Sequence, residues 1–209
     1  MKWLDLFGHL KCVVIGMIHV QALPGSPLGC MEMSRIIEEA CREASVYRDA
    51  GLVSRSTLTE PCGAPQESTH STLLAFILAT IYSDCPSIPI GVQNQQALAV
   101  TLASGGDFIR AEGFVLSHVA DEDLVHAYAR ELLRYRKSVG AEDVLVFTDI
   151  KKKHSSHALT SDVSAAETAR AAEFFLSDGL ILTGTSTGAQ TGRAQTGSLA
   201  RLSPAVIVR

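Results

Sequence analysis

The chain has 209 residues, of which 46% are hydrophobic and 19% are charged, and its net charge is −4. This composition is typical of folded globular proteins and excludes an intrinsically disordered chain. The acidic balance gives no reason to expect nucleic acid as a partner, and no apolar stretch reaches the roughly 20 residues that span a bilayer.

The N-terminus and the cysteines bear on the compartment. Residues 1–11 are short and poor in Arg and Ser, which argues against a signal or transit peptide. Five cysteines without CxxC spacing are typical of small core residues in a reducing compartment. We therefore predict a cytoplasmic protein, with a mitochondrial location as the remaining alternative.

The first elements are a strand, a loop and a helix. The apolar run from Cys12 to Val20 predicts a strand buried on both faces, and a Pro/Gly loop follows it. Ser34 is predicted to cap a helix that ends near Gly51. The next stretch, 52–71, is polar and carries two prolines, so we predict no regular second strand there.

Strands and helices then alternate. Strands are predicted at 88–93, 108–112, 144–150 and 180–183, and helices at 73–82, 95–103, 121–138 and 163–176. This alternation specifies parallel βαβ units, closed either as an open doubly wound sheet or as a (β/α)8 barrel. No GxGxxG follows the first strand, which weakens a dinucleotide-binding reading. Residues 184–199 read as a flexible, low-complexity segment, and 205–208 as a terminal strand.

Polar side chains stand at the ends of the predicted strands. They are His19, Gln93, Arg110, Glu112, Asp149, Lys151 and Thr183. In a parallel sheet these ends lie on one side, which in a barrel is the mouth that carries active sites. Residues two apart on a strand share a side, so we expect Arg110 beside Glu112 and Asp149 beside Lys151. The alternatives are a core histidine at position 19 and an internal Arg110–Glu112 ion pair.

The loop at 151–157 reads Lys-Lys-Lys-His-Ser-Ser-His. It is either a solvated basic loop or part of a site at the end of a buried strand. His154 and His157 are spaced to share one face of a helical turn, but without a third ligand they predict no metal site. Ser155 and His157 could instead bind an anion or cap the next helix.

Three long motifs resemble the BtpA family. They are IGMIHV with LPGSP at 15–27, GDFIRAEGF with HVAD at 106–121, and DIK with KHSSH at 149–157. The resemblance covers residues 12–51 and 86–184, and it implies the family's α/β fold, a (β/α)8 TIM-type barrel of the ribulose-phosphate-binding kind. The family takes its name from a cyanobacterial member implicated in photosystem I accumulation, and other members carry the label of predicted nucleosidases.

The chain departs from the family pattern in two places. The 52–71 stretch replaces the family's second strand, and the seventh and eighth βα units do not follow Gly184. We therefore predict a barrel domain at 1–184, with a divergent 52–71 segment, and a low-complexity tail at 185–209. A barrel of this kind, typically about 250 residues when complete, would be unclosed. We expect this form to be poorly stable and inactive.

The resemblance leads to two functional hypotheses. The first is an enzyme acting on a small phosphorylated or ribosyl substrate, with N-glycosidic hydrolysis as the concrete reaction. Such hydrolysis needs a carboxylate, either Asp149 or Glu112, and an acid, either His19 or His154. The predicted substrate-binding residues are Arg110, Lys151, Gln93, Ser155, His157 and Thr183. Aldol or isomerase chemistry through Lys151 would use the same residues.

The second hypothesis is a non-catalytic assembly or stability factor of the photosystem I biogenesis type. Such a protein could keep the charged residues for binding rather than for chemistry. The sequence identifies no cofactor under either hypothesis, and a homo-oligomer is compatible with both.

Overall fold

The computed structural model describes residues 17–50, 57–59, 75, 77, 79–80, 94–120, 123–184 and 206–208. The chain divides into two compact units. The first consists of Met1–Ile109 with Val139–Val144, and the second of Arg110–Ser138 with Leu145–Arg209. Along the described residues, no helix is long and apolar enough to cross a membrane.

The first unit pairs a short parallel sheet with helices. Its described elements are β1 (Met17–His19), α1 (Met33–Asp49), β2 (Thr57–Thr59) and α2 (Asn94–Ser104). Helix α1 buries Ile36, Ala40 and Ala44, whose spacing of four residues places them on one face. They join a core with Ile18 and Leu23. Burial of this apolar face, rather than helix propensity, supplies most of the stability of such a helix.

The prediction that 52–71 holds no strand is wrong at Thr57–Thr59. These residues form β2, parallel to β1, with Ile18 opposite Leu58. Threonine is β-branched and favours strands, but three residues are too few for an apolar alternation to be recognised in a polar stretch. The predicted strand at 88–93 lies outside the described residues.

The second unit contains a four-stranded sheet. Its strands are β3 (Phe108–Ala111), which begins in the first unit, β6 (Leu145–Ile150), β8 (Gly179–Leu182) and β9 (Val206–Val208), in the order β3-β6-β8-β9. Strand β8 is parallel to both β6 and β9. Every residue of β6 is buried, which accounts for its apolar start, Leu145–Phe147. The predicted strands at 108–112, 144–150, 180–183 and 205–208 are confirmed within about two residues.

A small antiparallel sheet was not predicted. Its strands are β4 (His118–Ala120), β5 (Leu124–Val125) and β7 (Ser155–Ser156), with β4 in the middle. Because β5 takes up 124–125, the helix predicted at 121–138 begins later, as α3 (Ala129–Ser138). Asp121, where the helix was predicted to begin, lies outside the described residues. Two short segments far apart in sequence create this sheet, so local periodicity could not reveal it.

Two helix starts also differ from prediction. Residue Glu32, not Ser34, is the N-cap of α1, and it makes no side-chain capping bond. The helix predicted at 163–176 is α4 (Ala165–Phe174), which packs on β6 and β8. A capping box precedes α4, in which Ser164 and Glu167 each satisfy the other's backbone N–H.

Candidate active site

A buried ion pair joins the ends of two neighbouring strands of the second unit. Arg110 Nε donates to Asp149 Oδ2 over 2.8 Å, and the two side chains are only 10% and 1% exposed. Arg110 Nη2 also lies 3.3 Å from Glu112 Oε1. Residues 110 and 112 therefore do share a side, as the alternation of β3 predicts.

Lysine 152 extends this group. Its Nζ lies 2.6 Å from Glu112 Oε2, which completes a charged cluster of Asp149, Arg110, Glu112 and Lys152. The expected neighbour of Asp149 was Lys151, but the structure places Arg110 there. The reason is that β6 ends at Ile150, and Lys151 adopts a left-handed backbone with a φ of 48°. Strand alternation does not continue through such a residue.

Lys151 instead turns toward the 3-10 helix Ala158–Thr160. Its Nζ donates to the carbonyl oxygen of Thr160 over 2.9 Å. The following residues are tied back to the sheet, since the Lys153 N–H donates to Thr183 Oγ1 at the end of β8. The loop after β6 is therefore held by side-chain bonds and is not merely a solvated basic loop.

The cluster shifts the pKa values of its carboxyl groups in opposite directions. Burial alone would raise the pKa of Glu112, but the charges of Arg110 and Lys152 outweigh it and hold that pKa below its usual range. Burial raises the pKa of Asp149, although Arg110 opposes the change, and the nearby Glu112 adds to it. Burial disfavours the charged form of Arg110, but both carboxylates reverse this and raise its pKa.

Two histidines adjoin the cluster. The rings of His118 and His157 have centroids 5.1 Å apart, and His157 Nε2 donates to the carbonyl oxygen of Lys152 over 3.0 Å. His118 is 4% exposed. Burial, aided by the neighbouring His157, lowers its pKa. His118 belongs to the connection between β3 and α3, and His157 to the connection between β6 and α4. The pairing of β4 with β7 joins these two connections.

These groups line one pocket of the second unit. The pocket is open to solvent, and its polar lining is His118, Asp149, Lys151, Lys152, His157, Thr160 and Thr168. Two buried polar atoms, Asp149 Oδ1 and His118 Nε2, have no hydrogen-bond partner in the described part of the chain. Since such atoms are costly to bury, they mark positions where a ligand can supply the missing bond.

The remaining predicted site residues are not among the residues that line this pocket. His154 is exposed and outside the pocket lining, with a left-handed φ of 53°. Ser155 lies in β7, and its hydroxyl donates to the carbonyl oxygen of Lys153 over 3.5 Å. His19 ends β1 in the first unit and is exposed, and Gln93 lies outside the described residues. Within the described ranges, no group of three or more His, Cys, Asp or Glu side chains could hold a metal ion.

Two ionisable residues of the pocket, Lys152 and His118, were not assigned from the sequence. The sequence analysis chose Lys151 and not Lys152, because it extended the side-chain alternation of the strand beyond Asp149. His118 lies in the HVAD motif, but it was expected in a loop and not in a strand. The sequence offered one indication of a role for His118, namely that the histidine follows closely after the end of a predicted strand.

Solved structures show the same fold class. One is a putative phosphonomutase from Burkholderia cenocepacia, 16% identical, with a TM-score of 0.56 over 80% of this chain and 74% of that one. Another is 2,3-dimethylmalate lyase, a member of the PEP mutase/isocitrate lyase superfamily, 12% identical, with a TM-score of 0.53 over 99% and 79% of the two chains. These are TIM-barrel enzymes, so the predicted α/β barrel fold is confirmed.

Relatives come from animals, archaea and cyanobacteria. An uncharacterized mitochondrial protein of Caenorhabditis elegans is 44% identical over 88% of this chain and 71% of its own length. An uncharacterized protein of Pyrococcus furiosus is 32% identical over 85% and 69%. The photosystem I biogenesis protein BtpA of Synechocystis is 27% identical over 88% and 67%.

The family model described as the BtpA family matches residues 10–208. This match is wider than the resemblance drawn from the motifs, because it includes the 52–71 stretch and the C-terminal strand β9. The chain belongs to the BtpA family.

Proposed function

We propose that this protein is a barrel enzyme that acts on a small phosphorylated or ribosyl substrate, with N-glycosidic hydrolysis as its reaction. The observation that carries the proposal is Asp149 Oδ1, a buried carboxylate oxygen without a partner among the described residues, in a pocket that two lysines also line. The fold supports an enzyme by analogy, since the neighbours in structure are barrel enzymes.

The lysines would bind the anionic group of the substrate. An ammonium carries three donors, and one bond is described for each, from Lys151 to the Thr160 carbonyl and from Lys152 to Glu112. Two positive charges lining a pocket favour a phosphate over a neutral group. Arg110 is less suited to this role, because it is engaged by two carboxylates and is not part of the pocket lining.

The carboxylate of Asp149 would act on the reacting carbon. Hydrolysis of a glycosidic bond passes through an oxocarbenium-like state whose positive charge a nearby carboxylate stabilises. Arg110 holds Oδ2 and so fixes the direction of Oδ1. Glu112, with its lowered pKa and two cationic partners, would instead hold the cluster in place.

Aldol or isomerase chemistry through Lys151 would use the same pocket. A Schiff base requires the amine as a nucleophile. The Nζ of Lys151 is a donor to the Thr160 carbonyl, which suits binding of an anion better than attack on a carbonyl carbon. Hydrolysis is therefore the reaction we place first.

The test is release of free base from a panel of nucleosides and nucleotides, and of free sugar from sugar phosphates. We expect Asp149→Asn to lower kcat by about 10²-fold or more, because the amide carries no charge. The matched control is Asp162→Asn, which removes an exposed carboxylate outside the pocket lining. Full activity of Asp149→Asn with every active substrate would contradict the proposal.

A non-catalytic assembly factor is the second candidate, and the Synechocystis relative favours it, since its name assigns it to photosystem I biogenesis. The double variant Asp149→Asn with Glu112→Gln separates the candidates. It would abolish an enzyme's turnover, whereas it would largely spare the surface contacts of an assembly factor. Retained complementation of a deletion strain by this variant would favour the assembly role.

The compartment also remains a proposal. We expect the cytoplasm from the sequence, but the Caenorhabditis elegans relative is named as mitochondrial. Fractionation of cells that express the protein with a C-terminal tag decides between the two, because a mitochondrial import signal at the N-terminus would then stay accessible.

A further inference from the structure

His118 occupies a fixed position beside the pocket. It lies in β4, the middle strand of the small antiparallel sheet, opposite Val125 of β5, and it is 4% exposed. Neighbouring strands on both sides limit its backbone freedom, and the His157 ring lies against it. A group held in this way is preorganised, as catalysis requires.

One ring nitrogen of His118 is placed to contact a ligand. Nε2 is buried and has no hydrogen-bond partner among the described residues. In the neutral tautomer that carries its proton on Nδ1, Nε2 has a lone pair that can accept a proton.

A residue close to His118 in the chain has an unusual conformation. Leu116, which also lines the pocket, has a left-handed φ of 62°. For a residue with a side chain such a conformation costs about 1–2 kcal/mol. Backbone strain of this kind gathers where a site needs one particular geometry, and here it lies in the pocket lining two residues before His118.

The groups around His118 favour the neutral ring. Burial lowers its pKa most, and the nearby His157 and Lys152 act in the same direction, while the Leu116 backbone and the charge of Glu112 oppose them. A histidine with a lowered pKa is neutral at physiological pH and ready to accept a proton. His157 Nε2 donates to the Lys152 carbonyl and so cannot itself accept a proton.

We propose that His118 is a catalytic residue of this pocket, whose Nε2 takes a proton from the attacking water; this rests on the proposed function. The carbon–nitrogen bond breaks first, and its electron pair stays on the nitrogen of the leaving base. The water oxygen then forms a bond to the positively charged sugar carbon as one of the water protons passes to Nε2. The imidazolium then returns the proton to that nitrogen, so the products are the free base and the sugar. Asp149 Oδ1 stabilises the positive charge on the sugar between the two steps.

The kinetic test compares pH profiles of kcat. For the wild-type protein we expect kcat to fall on the acid side as His118 becomes protonated. We expect His118→Gln to lower kcat by about 10²–10⁴-fold, with KM close to wild type, to lose the acid limb and to be partly rescued by added imidazole. His126→Gln removes an exposed histidine outside the pocket lining and serves as the control. An unchanged kcat and acid limb in His118→Gln would overturn the proposal.

A second measurement uses the wild-type protein and needs neither turnover nor a variant. Imidazole ¹⁵N spectra, with and without ribose 5-phosphate, report the tautomer and contacts of each histidine. We expect a bare Nε2 on His118 and a shift of its signal on ligand addition, with His126 unaffected. Absence of hydrolysis together with this shift would reject the reaction but keep the contact. A protonated Nε2, or no shift at all, would overturn the role of His118.

Discussion

At the scale of single residues, Arg110 is the common partner of two carboxylates. Its five donors allow it to serve Asp149 and Glu112 at once, which a lysine could not match in geometry. A buried pair of this kind adds little net stability against an apolar replacement, but loss of one partner leaves a buried charge alone. The side chain of Asp149 is 1% exposed, so its dependence on Arg110 is strong.

Replacement of this arginine tests that dependence. We expect Arg110→Met to lower the free energy of unfolding by about 3–5 kcal/mol, because Asp149 loses its ion-pair partner inside the protein. The double variant Arg110→Met with Asp149→Asn would recover part of the loss, since no buried charge remains. Urea unfolding measures both. A loss below about 1 kcal/mol would mean that the pair is worth no more than an exposed one.

The pH dependence of stability follows from the lowered pKa of His118. The pKa of His118 in the folded protein lies below its ordinary value of 6.5. At a pH between the folded pKa and 6.5, the unfolded chain therefore binds more protons than the native one. The free energy of unfolding therefore falls as the pH drops from about 6.5 through the folded pKa. The raised pKa of Asp149 acts in the opposite direction, since it adds stability as the pH falls.

A difference measurement isolates the histidine. Wild type and His118→Gln are unfolded with urea between about pH 7 and about pH 5. We expect the wild type to lose more stability than the variant across this range. His157, Lys152 and Glu112 face the ring and remain in both proteins, as does Asp149. Parallel curves for the two proteins would show that the folded pKa of His118 is not lowered.

At the scale of elements, α4 ends in a C-capping motif in which a leucine occupies a left-handed backbone position. The Leu176 N–H donates to the Glu173 carbonyl and the Ser177 N–H to the Ala172 carbonyl, which is the Schellman pattern. Leu176 takes the left-handed position that this motif usually gives to glycine, with a φ of 62°. Its side chain is 72% exposed, so little packing offsets the strain.

Substitution by glycine removes the strain. We expect Leu176→Gly to raise the free energy of unfolding by about 0.5–1 kcal/mol, since the relief of the left-handed penalty exceeds the entropy that glycine adds to the unfolded chain. Leu176→Ala is the matched control, because it shortens the side chain but keeps the Cβ. We expect it to leave stability almost unchanged. A larger gain in the alanine variant would trace the effect to the exposed leucine side chain instead.

Elements with a strong local pattern could be predicted from the sequence, and others could not. The buried run of β6 and the periodic helix α1 carry their own signal. Strands β2 and β5 are held by their partners, so short polar segments become strands only in the folded chain. The same cause explains why α3 begins near residue 129 rather than 121.

At the scale of the whole molecule, polar residues at predicted strand ends account for most of the charged cluster. Arg110, Glu112 and Asp149 were expected at strand ends and meet in one cluster because β3 and β6 are neighbours. The left-handed backbone at Lys151 could not be predicted, and it gives Lys152 the contact with Glu112. The role of His118 depends on an antiparallel pairing with β7, which no local pattern contains.

Ligand binding by the whole chain can be measured by thermal unfolding. We expect ribose 5-phosphate to raise Tm and ribose alone to have little effect, because Lys151 and Lys152 need an anion. At 100 times the Kd, binding adds about 2.7 kcal/mol to stability. Added salt would reduce the shift by screening. Equal shifts with both sugars would contradict a phosphate site.

The expected poor stability of this form stays a prediction. A sharp thermal transition without ligand would contradict it.

The small antiparallel sheet joins two connections of the chain into one structural unit. Strands β4 and β5 belong to the segment after β3, and β7 belongs to the segment after β6. An insertion in either segment would disturb the register of the other, because Val119 pairs with Leu124 on one side and Ser156 on the other. Anyone who exchanges loops between members of this family to change specificity must therefore transplant both segments together. A chimera that carries only one would lose the sheet along with the new specificity.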